Sequence, residues 1–155
     1  MVRVLEFSDV SMVRGGNTIL ESLDWTVESD ERWVVLGPNG AGKTSMLGLA
    51  SAETHPSSGV VRVLGEQLGR VDVFELRPRI GFASTATARR IPADEAVFDA
   101  VLTAAYSVTG RWNEEYEDVD LRRAERVMRE WRLDRLRDRR FGTLSDGEQK
   151  RLQIG

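Results

Sequence analysis

The octapeptide Gly37-Pro38-Asn39-Gly40-Ala41-Gly42-Lys43-Thr44 constrains this chain more than any other stretch. It stands between a short apolar run, Trp33-Val34-Val35-Leu36, and a helix-compatible segment over 45–53. An apolar run without polar alternation predicts a strand buried on both faces, as in a parallel sheet. Between a strand and a helix, the spacing G-x-x-x-x-G-K-[ST] is that of a phosphate cradle. Gly37, Gly40 and Gly42 let the backbone fold around an anion and approach it closely, so successive N–H groups point inward. The following helix adds its positive end. Pro38, Asn39 and Ala41 belong to the same binding loop. Lys43 is expected to reach the β- and γ-phosphates, the Thr44 hydroxyl to ligate Mg²⁺, and Ser45 to lie near the α-phosphate. The competing reading is a glycine-rich turn with an incidental lysine. Against it, the 22 Lys and Arg residues include only two lysines, Lys43 and Lys150, and one falls on the required position. The motif predicts binding of a nucleoside triphosphate.

The segment before the loop reads as β structure. Val2 and Val4 alternate imperfectly with Arg3 and Leu5. Arg14-Gly15-Gly16-Asn17 is a turn, and Leu23, Trp25 and Val27 alternate with polar neighbours as a strand with one buried face. After the helix, Pro56-Ser57-Ser58-Gly59 is a stop, residues 60–64 suit another strand closing on Gly65, and residues 79–83 a further one. From Pro92 the period becomes helical. Val97, Val101, Leu102 and Ala105 share one helix face, and a second helix is expected over 120–137 with an apolar stripe of Leu121, Ala124, Val127, Met128 and Trp131.

Composition narrows the setting. The 155 residues carry 41% hydrophobic and 30% charged side chains, enough for a folded core. A net charge of −3 advertises no nucleic acid or anionic membrane, and the arginines at 122, 123 and 126 alternate with acids, as on a solvated helix face. Zero cysteines exclude disulfides, thiolate metal sites and cysteine nucleophiles, and suit a reducing compartment. The N-terminus lacks the apolar core of a secretory signal, and no apolar run approaches the roughly 18 residues of a membrane helix. A cytoplasmic protein is expected, peripheral to the membrane only through a partner.

A phosphate cradle alone does not choose among kinases, GTPases, motors and transport ATPases. Leu144-Ser145-Asp146-Gly147-Glu148-Gln149-Lys150-Arg151 resembles the LSGGQ signature of ATP-binding cassette (ABC) proteins, about a hundred residues after the loop as in that family. The resemblance covers essentially the whole chain. It implies an α/β P-loop NTPase fold with an N-terminal antiparallel β subdomain (1–36), a P-loop core with an incomplete parallel sheet (37–91) and a helical subdomain bearing the signature (92–155). It also implies Mg-ATP as ligand and a second cassette, homo- or heterodimeric, arranged head to tail. In that arrangement Ser145, Gly147 and Glu148 of one copy meet the γ-phosphate held by Lys43 and Thr44 of the other. A membrane permease subunit is a further implied partner. The same four residues, Ser145 to Glu148, also spell a capping box that starts a helix over 148–155, and the two roles are compatible.

Several positions depart from the family pattern. Asp146 replaces a glycine and Glu148 a glutamine, adding negative charge beside a γ-phosphate site. Arg14 stands where an aromatic residue stacks on adenine, a role a guanidinium can take. The Q-loop glutamine is replaced around Ser84-Thr85, and His55 falls too early to be the switch histidine, so it reads as a surface loop residue. The 155 residues contain no apolar strand ending in Asp-Glu after the signature. Without those carboxylates to hold Mg²⁺ and orient water, this chain alone is expected not to hydrolyse ATP. The reading is therefore the front part of an ABC-type ATPase, a natural truncation or an incomplete gene product. The alternative is a non-catalytic nucleotide-binding module that pairs with a complete cassette.

Overall fold

The computed structural model describes residues 2–106, 108, 110 and 115–154. They form two compact units, Met1–Ile80 and Gly81–Gly155.

The first unit is built on an antiparallel sheet with strands β1 (Arg3–Arg14), β2 (Asn17–Glu28), β3 (Ser58–Val63) and β4 (Glu66–Gln67), in the order β2-β1-β3-β4. The β1–β2 hairpin closes at the expected turn, with Gly15 and Gly16 both at positive φ and Arg14 paired with Asn17. Positive φ at both central positions gives a turn whose twist matches its strands. The alternation of Val2 and Val4 does not mark the buried face of β1, since Val2 is 69% exposed and Leu5, of the other parity, is buried. Leu5 and Phe7 are buried at odd positions, Val10 and Met12 at even ones. The pairing shifts between Phe7 and Val10, where Asp9 takes φ 49°, so a bulge keeps both sets on one face. The bulge brings the Asp9 carbonyl against Gly59, where no Cβ fits.

Helix α1 (Lys43–Ala50) packs Leu49 onto this face with Val61 and Val63. It starts two residues before the expected 45–53 and ends three earlier, at a turn where Ala52 takes φ 58°. Arg77 donates from Nε and Nη2 to the Ala52 carbonyl at 3.1 and 3.0 Å, tying down that end. A short helix α2 (Val73–Leu76) follows β4, capped by the Asp72 carboxylate, which accepts from the Phe74 N–H.

Two expected strands are corrected. Residues 33–36 form no strand: Trp33, Val34 and Leu36 are exposed, Val34 at 81% and Leu36 at 86%. A strand exists through its ladder, and among the described residues none runs beside this run. The parallel sheet therefore has no paired strand here, while the α/β fold class stands. Trp33 is nevertheless anchored, edge-on to Trp25 at 5.7 Å, with its indole N–H donating to Glu31 at 3.0 Å. Likewise residues 79–83 are not a strand: Arg77–Arg79 is a 3₁₀ turn containing Pro78, and the chain beyond is irregular until residue 84.

The second unit is helical: α3 (Thr85–Ala88), α4 (Val97–Ala104), α5 (Asp118–Glu130) and α6 (Asp146–Ile154). Its core joins Val97, Val101 and Leu102 of α4 with Ala124 and Met128 of α5 and Leu152 of α6. The predicted stripe on α5 faces inward, with Leu121, Val127 and Trp131 partly buried, and Arg122, Arg123 and Arg126 lie exposed. Ala105 falls just beyond α4. The helix expected over 120–137 ends at Glu130. Arg132 takes φ 54°, Leu133 turns into the core, and a 3₁₀ turn over Asp134–Leu136 follows. A left-handed residue of this kind closes a helix by letting the next amide bond back, here Leu133 N–H to the Met128 carbonyl at 2.8 Å. Among the described residues no helix is long and apolar enough to cross a membrane.

Candidate functional site

The glycine-rich loop lies on the surface of the first unit, at the start of α1. Gly40 and Gly42 both take φ 83°, a conformation costly for any residue with a Cβ. Gly42 has a second reason to be glycine. A Cβ there would sit 2.7 Å from Leu20 Cδ2 and 2.8 Å from the Ile19 carbonyl oxygen, so β2 is the floor of the loop. Neither Ile19 nor Leu20 belongs to the motif, and nothing in their spacing marked them as part of it. Gly37 has no such constraint: its neighbours Ala41 and Lys43 leave ordinary contact distance.

Gly42 is also the N-cap of α1 and provides no capping side chain. The first intrahelical-type bond is Met46 N–H to the Gly42 carbonyl at 2.9 Å. Among the described residues, the N–H groups of Gly40, Gly42, Lys43, Thr44 and Ser45 meet no acceptor within the chain. Adjacent unpaired amides at a helix start form an anion-binding concavity. Lys43 Nζ donates to the carbonyls of Gly37 and Pro38, each at 2.6 Å. Those bonds curl the ammonium over the loop and leave one of its three donors for an anion. Pro38, Asn39 and Ala41 are exposed along the rim, Thr44 is exposed, and Ser45 is half-buried in the first turn. The loop residues of the motif are thus brought together, and the donor set fits a chain of phosphates.

Arg14 stands at the tip of the β1–β2 hairpin, exposed, opposite Asn17. His55 is exposed in the turn after α1, as expected. Ser84 caps α3, accepting from the Thr87 N–H at 3.0 Å.

Ser145, Gly147 and Glu148 belong to the second unit. The capping box is formed: the Glu148 N–H donates to Ser145 Oγ at 3.4 Å, and the Ser145 N–H donates to Glu148 Oε2 at 2.8 Å. The Ser145 hydroxyl also donates to Glu148 Oε2, at 3.0 Å. These bonds, the backbone one foremost, hold the Glu148 carboxyl below its usual value. Gly147 is exposed, with open space where a Cβ would stand. Gln149 Nε2 donates to the carbonyls of Phe141 and Leu144 at 3.4 Å each, fixing the preceding turn to α6. A residue outside the motif completes the group: Arg139 Nη1 lies 3.6 Å from Glu148 Oε1.

A strand-and-helix scaffold presenting a glycine-rich amide cradle with its lysine has the fold of the P-loop NTPase class. The sequence profile of the ABC transporter family matches residues 20–155, and the chain belongs to that family. The uncharacterized ABC transporter ATP-binding protein YlmA of Bacillus subtilis (strain 168) is 36% identical over 153 residues, covering 97% of this chain and 57% of the relative. This chain thus spans little more than half the length of that relative. The fold agrees. A nucleotide-free ATP-binding cassette from an ABC transporter superposes with TM-score 0.78 at 18% identity, over 99% of this chain and 63% of the other. A post-hydrolysis dimer of the ATP-binding cassette MJ0796 bound to ADP and Pi superposes with TM-score 0.73 at 21% identity, over 97% and 67%.

Proposed function

We propose that this chain is the nucleotide-binding portion of an ABC-type transport ATPase subunit. The observation that carries the reading is the group of amides at Gly40, Gly42, Lys43, Thr44 and Ser45 that meet no acceptor among the described residues, with Lys43 folded over it. The loop residues Gly37 to Thr44 and Ser45 would hold the phosphates, and the Thr44 hydroxyl would hold Mg²⁺. When bound, the metal neutralises charge on the β- and γ-phosphates. Arg14 stacks on the base. A second copy of the chain, head to tail, presents Ser145, Gly147 and Glu148 to the terminal phosphate. A dimeric cassette among the structural relatives supports a second cassette as partner, and the start of α6 is exposed. A permease is the further partner, and the cytoplasmic face of a membrane the setting.

The 155 residues supply positioning groups and no carboxylate pair after the signature to organise the attacking water. By themselves they bind MgATP without turning it over. Calorimetry with MgATP on the chain and on Lys43→Ala tests both statements. Binding weakened at least about tenfold by the substitution is expected, since a charge-assisted phosphate contact of roughly 1.5–3 kcal/mol is lost. Binding that the substitution leaves unchanged overturns the P-loop assignment. ATP turnover that disappears in Lys43→Ala overturns the claim of inactivity.

A further inference from the structure

The first turn of α6 carries two carboxylates, Asp146 and Glu148, where the proposed function brings a nucleotide's terminal phosphate. Unrelieved, two negative charges at that place oppose an anion that the helix start would otherwise attract. Among the described residues an ion pair is present at Glu148 and none at Asp146. Arg139 Nη1 stands 3.6 Å from Glu148 Oε1, and Arg139 Nη2 donates to the Thr143 carbonyl at 2.6 Å, so the guanidinium spans the turn from Thr143 to α6. Its backbone is held as firmly. The Arg139 carbonyl accepts from the Val97 N–H at 3.0 Å, and its N–H donates to the Leu136 carbonyl at 2.9 Å. Arg139 is therefore placed in advance by the start of α4 and does not reach Glu148 from a free loop.

Glu148 has its own commitment. Its Oε2 accepts both the N–H and the hydroxyl of Ser145. A hydroxyl has one proton, so while Ser145 gives it to Glu148 it cannot give it to a phosphate. Drawing the Glu148 carboxylate toward Arg139 weakens its hold on that proton, while the Ser145 backbone N–H remains a donor.

Building on the proposed signature role of Ser145, we propose that Arg139 is a positioning residue of the nucleotide site: it offsets the Glu148 charge and so lowers the cost of turning the Ser145 hydroxyl, which donates to Glu148 Oε2 at 3.0 Å, onto the terminal phosphate of a nucleotide held by a second copy. Arg139 acts through Glu148 and does not itself touch the nucleotide. The requirement exists because Glu148 is an acid, and it vanishes if the side chain is neutral.

The test is MgATP-dependent self-association of the full chain, followed by sedimentation velocity, with the MgATP concentration at half-association as the readout. Wild type, Ser145→Ala, Arg139→Gln, Arg139→Lys, Glu148→Gln and the double variant Arg139→Gln/Glu148→Gln are compared. Arg139→Gln is expected to raise that concentration about two- to fivefold, and Arg139→Lys to stay near wild type. In the Glu148→Gln background, Arg139→Gln is expected to have no effect. An equal loss in both backgrounds assigns Arg139 a structural role through Thr143 and overturns the proposal. So does an unchanged Arg139→Gln when Ser145→Ala weakens association, in which case the signature reading stands alone. Wild type that fails to associate with MgATP removes the signature reading and the proposal with it. Loss of helical far-ultraviolet circular dichroism, measured in parallel, identifies a variant whose second unit has failed to fold, and Arg139→Lys against Glu148→Gln then decides.

Discussion

Gly42 and Gly40 separate two costs that a glycine in such a loop combines. Both take φ 83°. Alanine at either position incurs the left-handed penalty, about 1–2 kcal/mol. At Gly40 that is the whole cost, because nothing lies within 4 Å of an added Cβ. At Gly42 the methyl would come within 2.7 Å of Leu20 and 2.8 Å of the Ile19 carbonyl. The carbonyl is backbone in a paired strand, so relief requires moving β2 or the loop, at about a further 1–3 kcal/mol. Alanine also reduces the entropy of the unfolded chain, but equally in both variants, so the term cancels. Gly42→Ala is thus expected to be less stable than Gly40→Ala by about 1–3 kcal/mol. Urea unfolding followed by far-ultraviolet circular dichroism measures the difference. With a slope of about 1–3 kcal/mol/M for a chain this size, the midpoints should differ by about 1 M. Coincident midpoints would refute the claim that β2 is the floor of the loop.

Three further outcomes follow from the same geometry. Val34→Asp and Leu36→Asp should each change the stability of this chain by less than about 0.5 kcal/mol, because both side chains are exposed; a loss above about 2 kcal/mol would show the run to be buried. Met128→Ala, in contrast, removes a side chain only 1% exposed in the core of the second unit, and should cost about 2–5 kcal/mol in urea unfolding. Glu148 has its carboxyl held below the value of 4.5 it has when unperturbed, so its contribution is present above that pH and fades as pH falls through the lower native value. Comparing the acid limb of stability with that of Glu148→Gln checks this, and identical limbs would contradict it.

The glycine-rich loop was legible because its requirements are local. Positive φ at Gly40 and Gly42, an amide at each step and a lysine one residue on are all properties of consecutive residues. The capping box from Ser145 to Glu148 was legible for the same reason, its bonds spanning three residues. The stripe on α5 followed from the helical period alone. Residues 33–36 misled because an apolar run reports a side-chain preference for burial, whereas a strand needs a partner backbone. The hairpin partner of β1 was predictable from Gly15-Gly16, but the bulge at Asp9 that moves burial from odd to even positions had no sequence mark.

By itself the sequence determined the glycine-rich loop at the start of α1, the capping box at the start of α6 and the family the chain belongs to, since each is encoded within a few adjacent residues. Tertiary structure alone decided what lies beneath and beside them. Ile19 and Leu20 close the space at Gly42 from more than twenty residues away, and Arg139 meets Glu148 across a turn. Such contacts join residues with no periodic or motif relation, so only the folded backbone brings them within reach.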